Sequence, residues 1–327
     1  DPLGGNRYAM LISGKSDASS HGDMRTQTLS AHLPMLFHPN PKNVMVVGLA
    51  SGVTAGEVLC YPVDQLDVLE INKQVVEASR FFLPWNNQVL KDPRTRLIIQ
   101  DARAHLQLTR QTYDVIISEP SNPWMVGLAA LFTCDFFQLA RERLKPDGLF
   151  VQFFHSYEMD WATFALVGRS FAHVFPNSVL AVTEPVGYGY DYLLVGFNGS
   201  RSLQSETAQQ NFIYAQKSSN IRLVNPFLFY RMVVAENSND LFGQGPLNTD
   251  AWPVLEYAGP KKMYLQMEGG QFGSDPEIWK NLNQQGRRSP NTIQITEELT
   301  GSIDRQIDYV EYALSVHSPF PNMVDLE

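Results

Sequence analysis

The sequence predicts an α/β fold with a mostly parallel sheet, and two segments carry most of that prediction. VMVVGLASGVTAGEVL (44–59) is typical of a buried strand, a glycine-containing turn and a helix start, and LDVLEIN (66–72) is typical of a second buried strand ending in Glu70. Short continuous apolar runs are expected where helices cover both faces of a parallel sheet. A glycine-containing turn followed about 20 residues later by a strand-end carboxylate suits a ribose diol.

Apolar periodicity places the other elements of a nucleoside-binding α/β domain over residues 42–200. Two runs at 178–185 and 190–198, separated by a short glycine-containing connection, predict an antiparallel hairpin at the C-terminal side of the sheet. Strands are predicted at 43–48, 66–71, 95–99, 113–118 and 148–154, and helices at 53–60, 72–82, 102–109, 131–145 and 160–174.

The segments on either side of this domain differ in composition. Residues 1–41 combine a short strand pattern (YAMLISG), a polar turn (KSDASSHGD) and an approach helix (MRTQTLSAHLPMLF). Residues 201–327 form a C-terminal elaboration richer in Gln, Ser and Asn, with a helical stretch at 203–217 and an amphipathic run near 302–315. The predicted fold therefore adds a small N-terminal β element and a C-terminal elaboration to the sheet.

Composition excludes several classes of protein. Over 327 residues the net charge is −9 and the pI is about 5.3, which argues against a nucleic-acid partner and suits a small cationic substrate. No stretch reaches the roughly 18 apolar residues of a membrane helix, and no signal peptide is visible. Cys60 and Cys134 lie in apolar patterns without metal spacing, so we expect buried free thiols, no metal and a cytoplasmic location.

Glycines recur in the first strand-to-helix turn. Gly48, Gly52 and Gly56 are spaced G-x3-G-x3-G, and a helix N-terminus there offers N–H groups to a carboxylate or phosphate. Tight turns also need glycine for their backbone, so the turn alone does not separate binding from structure. Glu70 favours binding because it lies 22 residues after Gly48, at the carboxyl edge of the sheet; the alternative is an exposed helix-capping acid.

Two later strand ends carry further candidates. Asp101, in TRLIIQDAR, can cap a helix, accept a hydrogen bond from an adenine amino group, or do both. YDVIISEPSNPWMVG ends a strand in Ser118-Glu119 and continues into a proline-stiffened polar loop. There Glu119 is a candidate base, Asn122 can donate and accept, and Trp124 can wall a pocket; the alternative is a rigid connection with an exposed acid.

Other candidates lie before the first core strand and after the fifth. Asp17, Asp23 and Gln27 precede the core, and helix capping is the alternative for Asp23. His155 and Tyr157 follow the fifth strand and either face the same edge or pack in the structure. The histidines show no metal spacing, and no Ser-His-Asp order or Walker motif is present.

Taken in order, these segments resemble the spermidine synthase family, aminopropyltransferases built on the class I methyltransferase-like (Rossmann-like) fold. The similarity runs from about residue 14 to 198, through LSAHLPMLFHPNPKNVMVVG, LDVLEIN, DPRTRLIIQDAR, YDVIISEPSNP and LFTCDFFQLARERLKPDGLFVQ. GKSDAS, SEPSNPW and NTDAWPVLEY (248–257) look closest to the spermidine synthase-like domains fused to membrane segments in bacterial proteins. The chain starts Asp-Pro-Leu without Met and finishes Leu-Glu, so we expect the cytosolic domain of a longer membrane protein.

The resemblance implies a co-substrate, either decarboxylated S-adenosylmethionine or S-adenosylmethionine. Glu70 would bind the ribose hydroxyls, Asp101 and Ala102 would border the adenine, and the turn would pass under the amino-acid-derived tail. The residues that the resemblance assigns to this donor are Gly48, Ser51, Gly52, Glu70, Ile71, Asp101 and Ala102.

The implied reaction is aminopropyl transfer from decarboxylated S-adenosylmethionine to a di- or polyamine. Glu119 occupies the position of the family's catalytic aspartate, Gln27 matches a glutamine near the reacting centre, and Asp23 would help to orient the amine. The expected partners are a small-molecule amine, a second copy in a homodimer and an attached membrane domain. The residues assigned to the amine substrate are Asp17, Asn122 and Trp124.

Four positions depart from the family's pattern. Ala50 and Ser51 replace a glycine and an acid in the turn, Thr26 replaces a tyrosine, and Asn122 replaces the second aspartate of the loop. In the family, those acids and that tyrosine help to hold the polyamine and the aminopropyl ammonium group. Three hypotheses stay open: aminopropyl transfer, methyl transfer from S-adenosylmethionine, and a non-catalytic module that binds a nucleoside or polyamine for a membrane protein.

Overall fold

A computed structural model describes residues 7–12, 14–123, 125, 127–183, 191–199, 203–221, 226–236, 238–268, 275–290 and 292–294. These residues form two compact units. The first comprises the described residues up to Ala102, those of 203–229 and Gln294, and the second comprises those of 103–202 and 230–293. Trp124, the connection of the predicted hairpin and the amphipathic run near 302–315 lie outside the described residues.

Strands and helices alternate from β3 to α6 in the predicted order. The strands are β1 (Ala9–Ile12), β2 (Lys15–Ser19), β3 (Asn43–Val47), β4 (Gln65–Glu70), β5 (Thr95–Ile99), β6 (Tyr113–Ser118), β7 (Leu144–His155), β8 (Ser178–Val182), β9 (Asp191–Phe197) and β10 (Val233–Glu236). The helices are α1 (Met24–Phe37), α2 (Val53–Val58), α3 (Lys73–Ala78), α4 (Ala102–Leu108), α5 (Cys134–Glu142), α6 (Trp161–Val174), α7 (Ser205–Ala215), α8 (Leu228–Met232), α9 (Ser238–Phe242), α10 (Val254–Glu268) and α11 (Pro276–Gln285). Short 3₁₀ helices span Ser79–Phe82, Val89–Lys91 and Leu128–Phe132.

The first unit contains a parallel sheet in which β4 lies between β3 and β5. Val44 and Val68 have no exposed surface, as expected for strands covered on both faces. The register pairs Glu70 with Ile99, so β4 and β5 end at the same level. The turn after β3, Glu70 and the segment after β5 therefore meet at one edge of this sheet.

The stretch 203–229 packs within the first unit, where α7 contacts α1. Asn211 of α7 donates through its Nδ2 to the carbonyls of Met35 (3.2 Å), Leu36 (3.1 Å) and His38 (2.7 Å). The last carbonyls of a helix have no partner within the helix. Asn211 therefore caps the end of α1 from a distant part of the chain.

The second unit contains strands in the order β10-β8-β9-β7-β6. β6 and β7 are parallel, whereas β9, β8 and β10 are antiparallel to their neighbours, so the predicted hairpin forms from β8 and β9. Phe150 of β7 stacks on Phe171 and Phe175, with ring centroids 5.8 and 5.5 Å away. Gly196 lies against the Phe175 ring, since a Cβ there would come within 2.4 Å of it.

Some predicted local structure is wrong. The first five residues of KSDASSHGD, which is predicted as a polar turn, form β2 instead, because their backbone pairs with β1 in a two-stranded ribbon that leaves most of their side chains outside the core. The helix predicted at 72–82 ends at Ala78 and continues as a 3₁₀ helix, and the one predicted at 131–145 starts as a 3₁₀ helix and ends at Glu142. Strand β10 was not predicted, because four residues are too few to show a period.

Candidate active site

The turn between β3 and α2 follows an unusual backbone path. Gly48, Ala50 and Gly52 have φ angles of 93°, 44° and 84°. Glycine adopts this left-handed region without steric cost, whereas an L-residue there costs roughly 1–2 kcal/mol. Ala50 stands where the resemblance expects glycine, so the surrounding turn holds it in this conformation. The curvature directs the N–H of Leu49 toward the end of β4.

Glu70 is held by backbone groups on both sides. Its Oε2 accepts a hydrogen bond from the Leu49 N–H at 3.1 Å, and its Oε1 accepts one from the Asn72 N–H at 2.8 Å. The residue is 8% exposed. Bonds from neutral donors to an ionised carboxylate are strong and fix its orientation. Because each carboxylate oxygen has a further lone pair, Glu70 can also accept two neighbouring hydroxyl groups.

Apolar surface lies exposed beside Glu70. Ile71 is 68% exposed, and Ile99, the partner of Glu70 in the β4–β5 register, is 39% exposed. Asp101 is exposed, and Ala102 is buried at the start of α4. A flat ring laid on the isoleucines would remove apolar surface from water, and the Asp101 carboxylate can accept from an amino group. The first unit thus combines a diol acceptor with an apolar surface.

Ser51 and Gln27 bind each other in the first unit. The Ser51 hydroxyl donates to Gln27 Oε1, and Gln27 Nε2 donates to the Ser19 carbonyl at 3.0 Å. The Thr54 hydroxyl donates to the Gln27 carbonyl at 2.8 Å. Both polar ends of the Gln27 side chain are therefore bonded within the protein, and Gln27 joins the glycine turn to the end of β2.

Asp23 is bonded to Ser19 rather than to α1. It occupies the N-cap position of α1 without a capping bond, and its carboxylate accepts from the Ser19 N–H at 2.8 and 3.1 Å and from the Ser19 hydroxyl. Burial raises the pKa of Asp23, the charge of half-buried Asp17 raises it further, and the bonds from Ser19 oppose both effects. Asp23 therefore keeps a proton to a higher pH than an ordinary aspartate.

Two buried polar side chains lie side by side in the second unit, where the end of β6 pairs with β7. Ser118 and Gln152 are register partners, and both have no exposed surface. Among the described residues, Ser118 Oγ and Gln152 Oε1 have no hydrogen-bond partner. A buried polar atom without a partner costs about 1–3 kcal/mol, so such atoms point to a partner that the fold does not supply.

Asn122, in the loop that follows β6, carries a third buried polar atom of this kind. It is 1% exposed, and its Oδ1 accepts from the Tyr157 hydroxyl at 3.3 Å. Its Nδ2 has no partner among the residues that the structure describes. Tyr157 stacks on His155 with ring centroids 3.8 Å apart, so these two residues pack against each other. Ser118, Asn122 and Gln152 are called the amide cluster below.

Glu119 is half-buried and directly follows the amide cluster's Ser118 in the chain. Trp124 lies outside the described residues, so its predicted place in a pocket wall stays a prediction. Gln152 is a candidate that the motifs do not single out. The sequence does carry a signal for it, because an amide interrupts the apolar run FVQFF (150–154). The lack of a partner for its Oε1 depends on strand register, which the sequence does not show.

A family model described as the spermine/spermidine synthase domain matches residues 24–194, just over half of the 327 residues. The chain belongs to the spermine/spermidine synthase family. The resemblance read from the motifs is therefore confirmed. The predicted kinship with domains fused to membrane segments stays a prediction.

Curated relatives of this family member are aminopropyltransferases. A polyamine aminopropyltransferase of Thermotoga petrophila is 34% identical over 149 residues, covering 45% of this chain and 50% of that protein. One from Caldicellulosiruptor saccharolyticus is 37% identical over 150 residues, covering 45% and 53%. A spermidine synthase of Dictyostelium discoideum is 29% identical over 196 residues, covering 58% and 68%. The chain spans about half the length of the first two.

Solved structures show the same fold. A spermidine synthase in complex with the transition state analogue AdoDATO aligns with a TM-score of 0.56 at 22% identity, covering 80% of each chain. The spermidine synthase from Thermotoga maritima aligns with a TM-score of 0.55 at 23% identity, also covering 80% of each chain. The predicted class I methyltransferase-like α/β fold is therefore confirmed.

Proposed function

We propose that this spermine/spermidine synthase family member transfers an aminopropyl group from decarboxylated S-adenosylmethionine to a di- or polyamine. The observation that carries the proposal is Glu70, held by the N–H groups of Leu49 and Asn72 in the orientation of a diol acceptor. Membership of the family, whose model matches residues 24–194, supplies the reaction class.

The donor is bound by the first unit in this proposal. Glu70 accepts the two ribose hydroxyls, and Ile71 covers one face of the adenine. Asp101 accepts from the adenine amino group, with Ala102 beside it. The turn from Gly48 to Gly52, including Ser51, passes under the aminopropyl tail. The exposed surface of Ile71 and the paired oxygens of Glu70 support this assignment.

The transfer is a substitution at carbon. The lone pair of a neutral amine attacks the methylene carbon next to the sulfonium, the carbon–sulfur bond breaks, and its electron pair stays on sulfur as the neutral thioether of methylthioadenosine. The new ammonium then loses a proton. Amines with pKa values near 10 are mostly protonated at neutral pH, so a base and a positioned lone pair contribute much of the rate.

Glu119 is the proposed base, on the strength of its position in the SEPSNPW loop. Gln27 and Asp23 act as orienting groups for the reacting amine in the proposal, with Asp17 nearby in sequence. The bonds that Ser19 makes to both residues support a shared, fixed arrangement of Gln27 and Asp23. Asn122 and Trp124 contribute to binding of the amine.

The amide cluster supports an amine as the second substrate. Ser118 Oγ and Gln152 Oε1 are acceptors, and Asn122 Nδ2 is a donor. A neutral primary amine donates two hydrogen bonds and accepts one, which matches this set. The cluster is thus suited to hold an amine in its unprotonated form, the form that reacts.

Methyl transfer from intact S-adenosylmethionine is the second candidate. Ser51 stands where the resemblance expects an acid, and its hydroxyl is bonded to Gln27. Without that acid, a donor that keeps its carboxylate meets less electrostatic repulsion at the turn. This single substitution is the observation that favours intact S-adenosylmethionine.

Calorimetry separates these readings. The protein is titrated with decarboxylated S-adenosylmethionine, S-adenosylmethionine and methylthioadenosine. Tight binding of the decarboxylated donor and of methylthioadenosine, with weak binding of the intact donor, supports aminopropyl transfer. Preference for the intact donor supports methyl transfer. Binding of none of the three contradicts both.

The assembly and cellular location are further parts of the proposal. The cytoplasmic location, the homodimer and the attached membrane domain are predictions that the sequence motivates. Among the described residues, no helix combines the length and the apolar character that crossing a bilayer requires.

A further inference from the structure

The segment Asn248–Glu256 lies outside residues 24–194, which the family model matches, and the proposed chemistry assigns no role to it. It belongs to the second unit and leads into α10. We propose that this segment, the latch, positions the loop of residues 118–127 that carries Glu119. The inference rests on the proposed function, because it takes Glu119 as the base.

Asn248 anchors the latch beside α5. It has no exposed surface, and its Nδ2 donates to the Phe132 carbonyl at 3.0 Å. Its carbonyl accepts from the Cys134 N–H at 2.8 Å, and its N–H donates to the Ser170 hydroxyl at 2.8 Å. Its Oδ1 accepts from the Leu255 N–H at 3.0 Å, which closes the latch on itself. The backbone N–H and carbonyl of Asn248 and both polar atoms of its side chain are therefore bonded, and these bonds fix the latch.

Asp250 is a second residue of the latch that binds the start of α5. Its Oδ1 accepts from the Thr133 hydroxyl at 2.8 Å, and its Oδ2 pairs with Arg103. Its N–H donates to Asp135 Oδ2 at 2.7 Å. Arg103 also donates to the Ala130 carbonyl at 2.6 Å. Because Thr133 is the N-cap of α5, Asp250 fixes the start of that helix and the 3₁₀ helix before it.

Glu256 reaches the end of the loop itself. Its Oε1 accepts from the Gly127 N–H at 3.3 Å. Gly127 is exposed, has a φ of 83°, and a Cβ there would meet nothing within 4 Å. No side chain packs where a Cβ of Gly127 would lie, and the hydrogen bond to Glu256 ties this end of the loop to the latch.

The loop is thus held at both ends. Its first residue, Ser118, belongs to β6, and its last, Gly127, is bonded to the latch. A reacting group misplaced by about 1 Å can lower the rate by about 100-fold. In this inference Glu256 is a positioning residue, since its contact is with Gly127, at the opposite end of the loop from Glu119.

The test compares Glu256→Ala and Glu256→Gln with a matched control, Glu206→Ala. Glu206 is also an acid in the first turn of a helix, α7, and is exposed. Hydrogen–deuterium exchange is followed at the Gly127 amide and over residues 118–133, together with kcat, the KM for the amine and donor affinity. In Glu256→Ala we expect exchange about tenfold faster and kcat about tenfold lower, with donor affinity unchanged.

Glu256→Gln keeps an oxygen acceptor for the Gly127 N–H, so we expect both readouts to return close to those of the unmodified protein. Unchanged exchange in Glu256→Ala overturns the inference, as does an equal loss of kcat in Glu206→Ala. If Glu256→Ala does not fold, Asp250→Asn replaces it, with faster exchange expected at the start of α5. If the unmodified protein shows no turnover, the proposed function is contradicted. If exchange still becomes faster in Glu256→Ala, the contact between the latch and the loop is nevertheless established.

Discussion

The buried carboxylates of the first unit and the amide cluster of the second unit differ in how their hydrogen-bond partners are supplied. In the first unit, Glu70 and Glu57 have both carboxylate oxygens hydrogen-bonded within the protein. In the second, Ser118, Asn122 and Gln152 each keep a buried atom without a partner among the described residues. A bonded carboxylate is oriented before a ligand arrives, whereas an unpartnered amide gains its hydrogen bond from the ligand. The contrast favours a preformed donor site and an amine site completed by its substrate.

The network around Glu57 is a second example of a buried carboxylate whose oxygens are both bonded within the first unit. His32 Nε2 lies 3.0 Å from Glu57 Oε2, and His32 Nδ1 lies 2.8 Å from the Tyr61 hydroxyl. Asn220 Nδ2 donates to Glu57 Oε1 at 2.6 Å. His32 and Glu57 have no exposed side-chain surface. This network joins α1, α2 and the stretch 203–229 behind the glycine turn.

The largest expected effect is on stability. Glu57→Ala removes the carboxylate that His32 Nε2 contacts and that Asn220 Nδ2 donates to, and two hydrogen bonds to a charged group are together worth about 3–6 kcal/mol. We expect a loss of this size in the free energy of unfolding, measured by urea denaturation. Glu57→Gln keeps the bond from Asn220 and should lose less. A loss below about 1 kcal/mol in Glu57→Ala would mean that the network does not stabilise the first unit.

The next effect concerns donor binding. Glu70→Ala removes two acceptors of ribose hydroxyls, and bonds to a charged group are worth about 1.5–3 kcal/mol each. We expect donor affinity to fall at least about 100-fold in calorimetry. Glu77→Ala, an exposed acid on α3 of the same unit, is the matched control and should bind normally. Normal binding by Glu70→Ala would remove the central support for a ribose site.

A smaller effect, on amine binding rather than on stability, is expected at the amide cluster. Gln152→Leu removes a buried acceptor that has no partner and also the bond from Gln152 Nε2 to the Phe153 carbonyl, so the two changes offset each other and unfolding stability should change by less than about 1 kcal/mol. The KM for the amine should rise about tenfold, which corresponds to about 1.4 kcal/mol of lost binding. Gln107→Leu on the exposed side of α4 is the control. A large loss of stability with an unchanged KM would show that Gln152 is structural.

The smallest effect is the pH dependence of stability. Burial would raise the pKa of Glu57, but the bonds and charge of His32, with bonds from Ser218 and Asn220, outweigh it, so the pKa lies below 4.5. The contribution of Glu57 to the free energy of unfolding is present above about pH 4.5 and is lost as the pH falls through the folded-state pKa.

The contribution of Asp23 to stability depends on pH in the opposite direction, because the folded-state pKa of Asp23 is raised above 3.8. Its contribution is present below about pH 3.8 and is lost as the pH rises through the folded-state pKa. Urea denaturation between about pH 3 and 6 measures both. For each variant, the free energy of unfolding is compared with that of the unmodified protein at every pH. This difference should change with pH in opposite directions for Glu57→Gln and Asp23→Asn. Parallel curves would contradict the opposite pKa shifts of Glu57 and Asp23.

Local pattern was enough to predict the strands of the core, because continuous apolar runs depend on nearby sequence. It was not enough for β2, whose polar residues form a strand only through pairing with β1. Asn211, Asn220 and Asn248 are ordinary asparagines in the sequence, and their importance comes from partners far away in the chain. The isolation of Gln152 Oε1 likewise depends on strand register.

The most direct test of the account is release of methylthioadenosine from decarboxylated S-adenosylmethionine in the presence of a panel of di- and polyamines, by the unmodified protein and by Glu119→Gln. We expect amine-dependent release by the unmodified protein and a rate at least about 100-fold lower for Glu119→Gln, with donor binding unchanged. Unchanged turnover in Glu119→Gln would contradict its role as the base. No release with any amine, together with methylated product from intact S-adenosylmethionine, would contradict aminopropyl transfer itself.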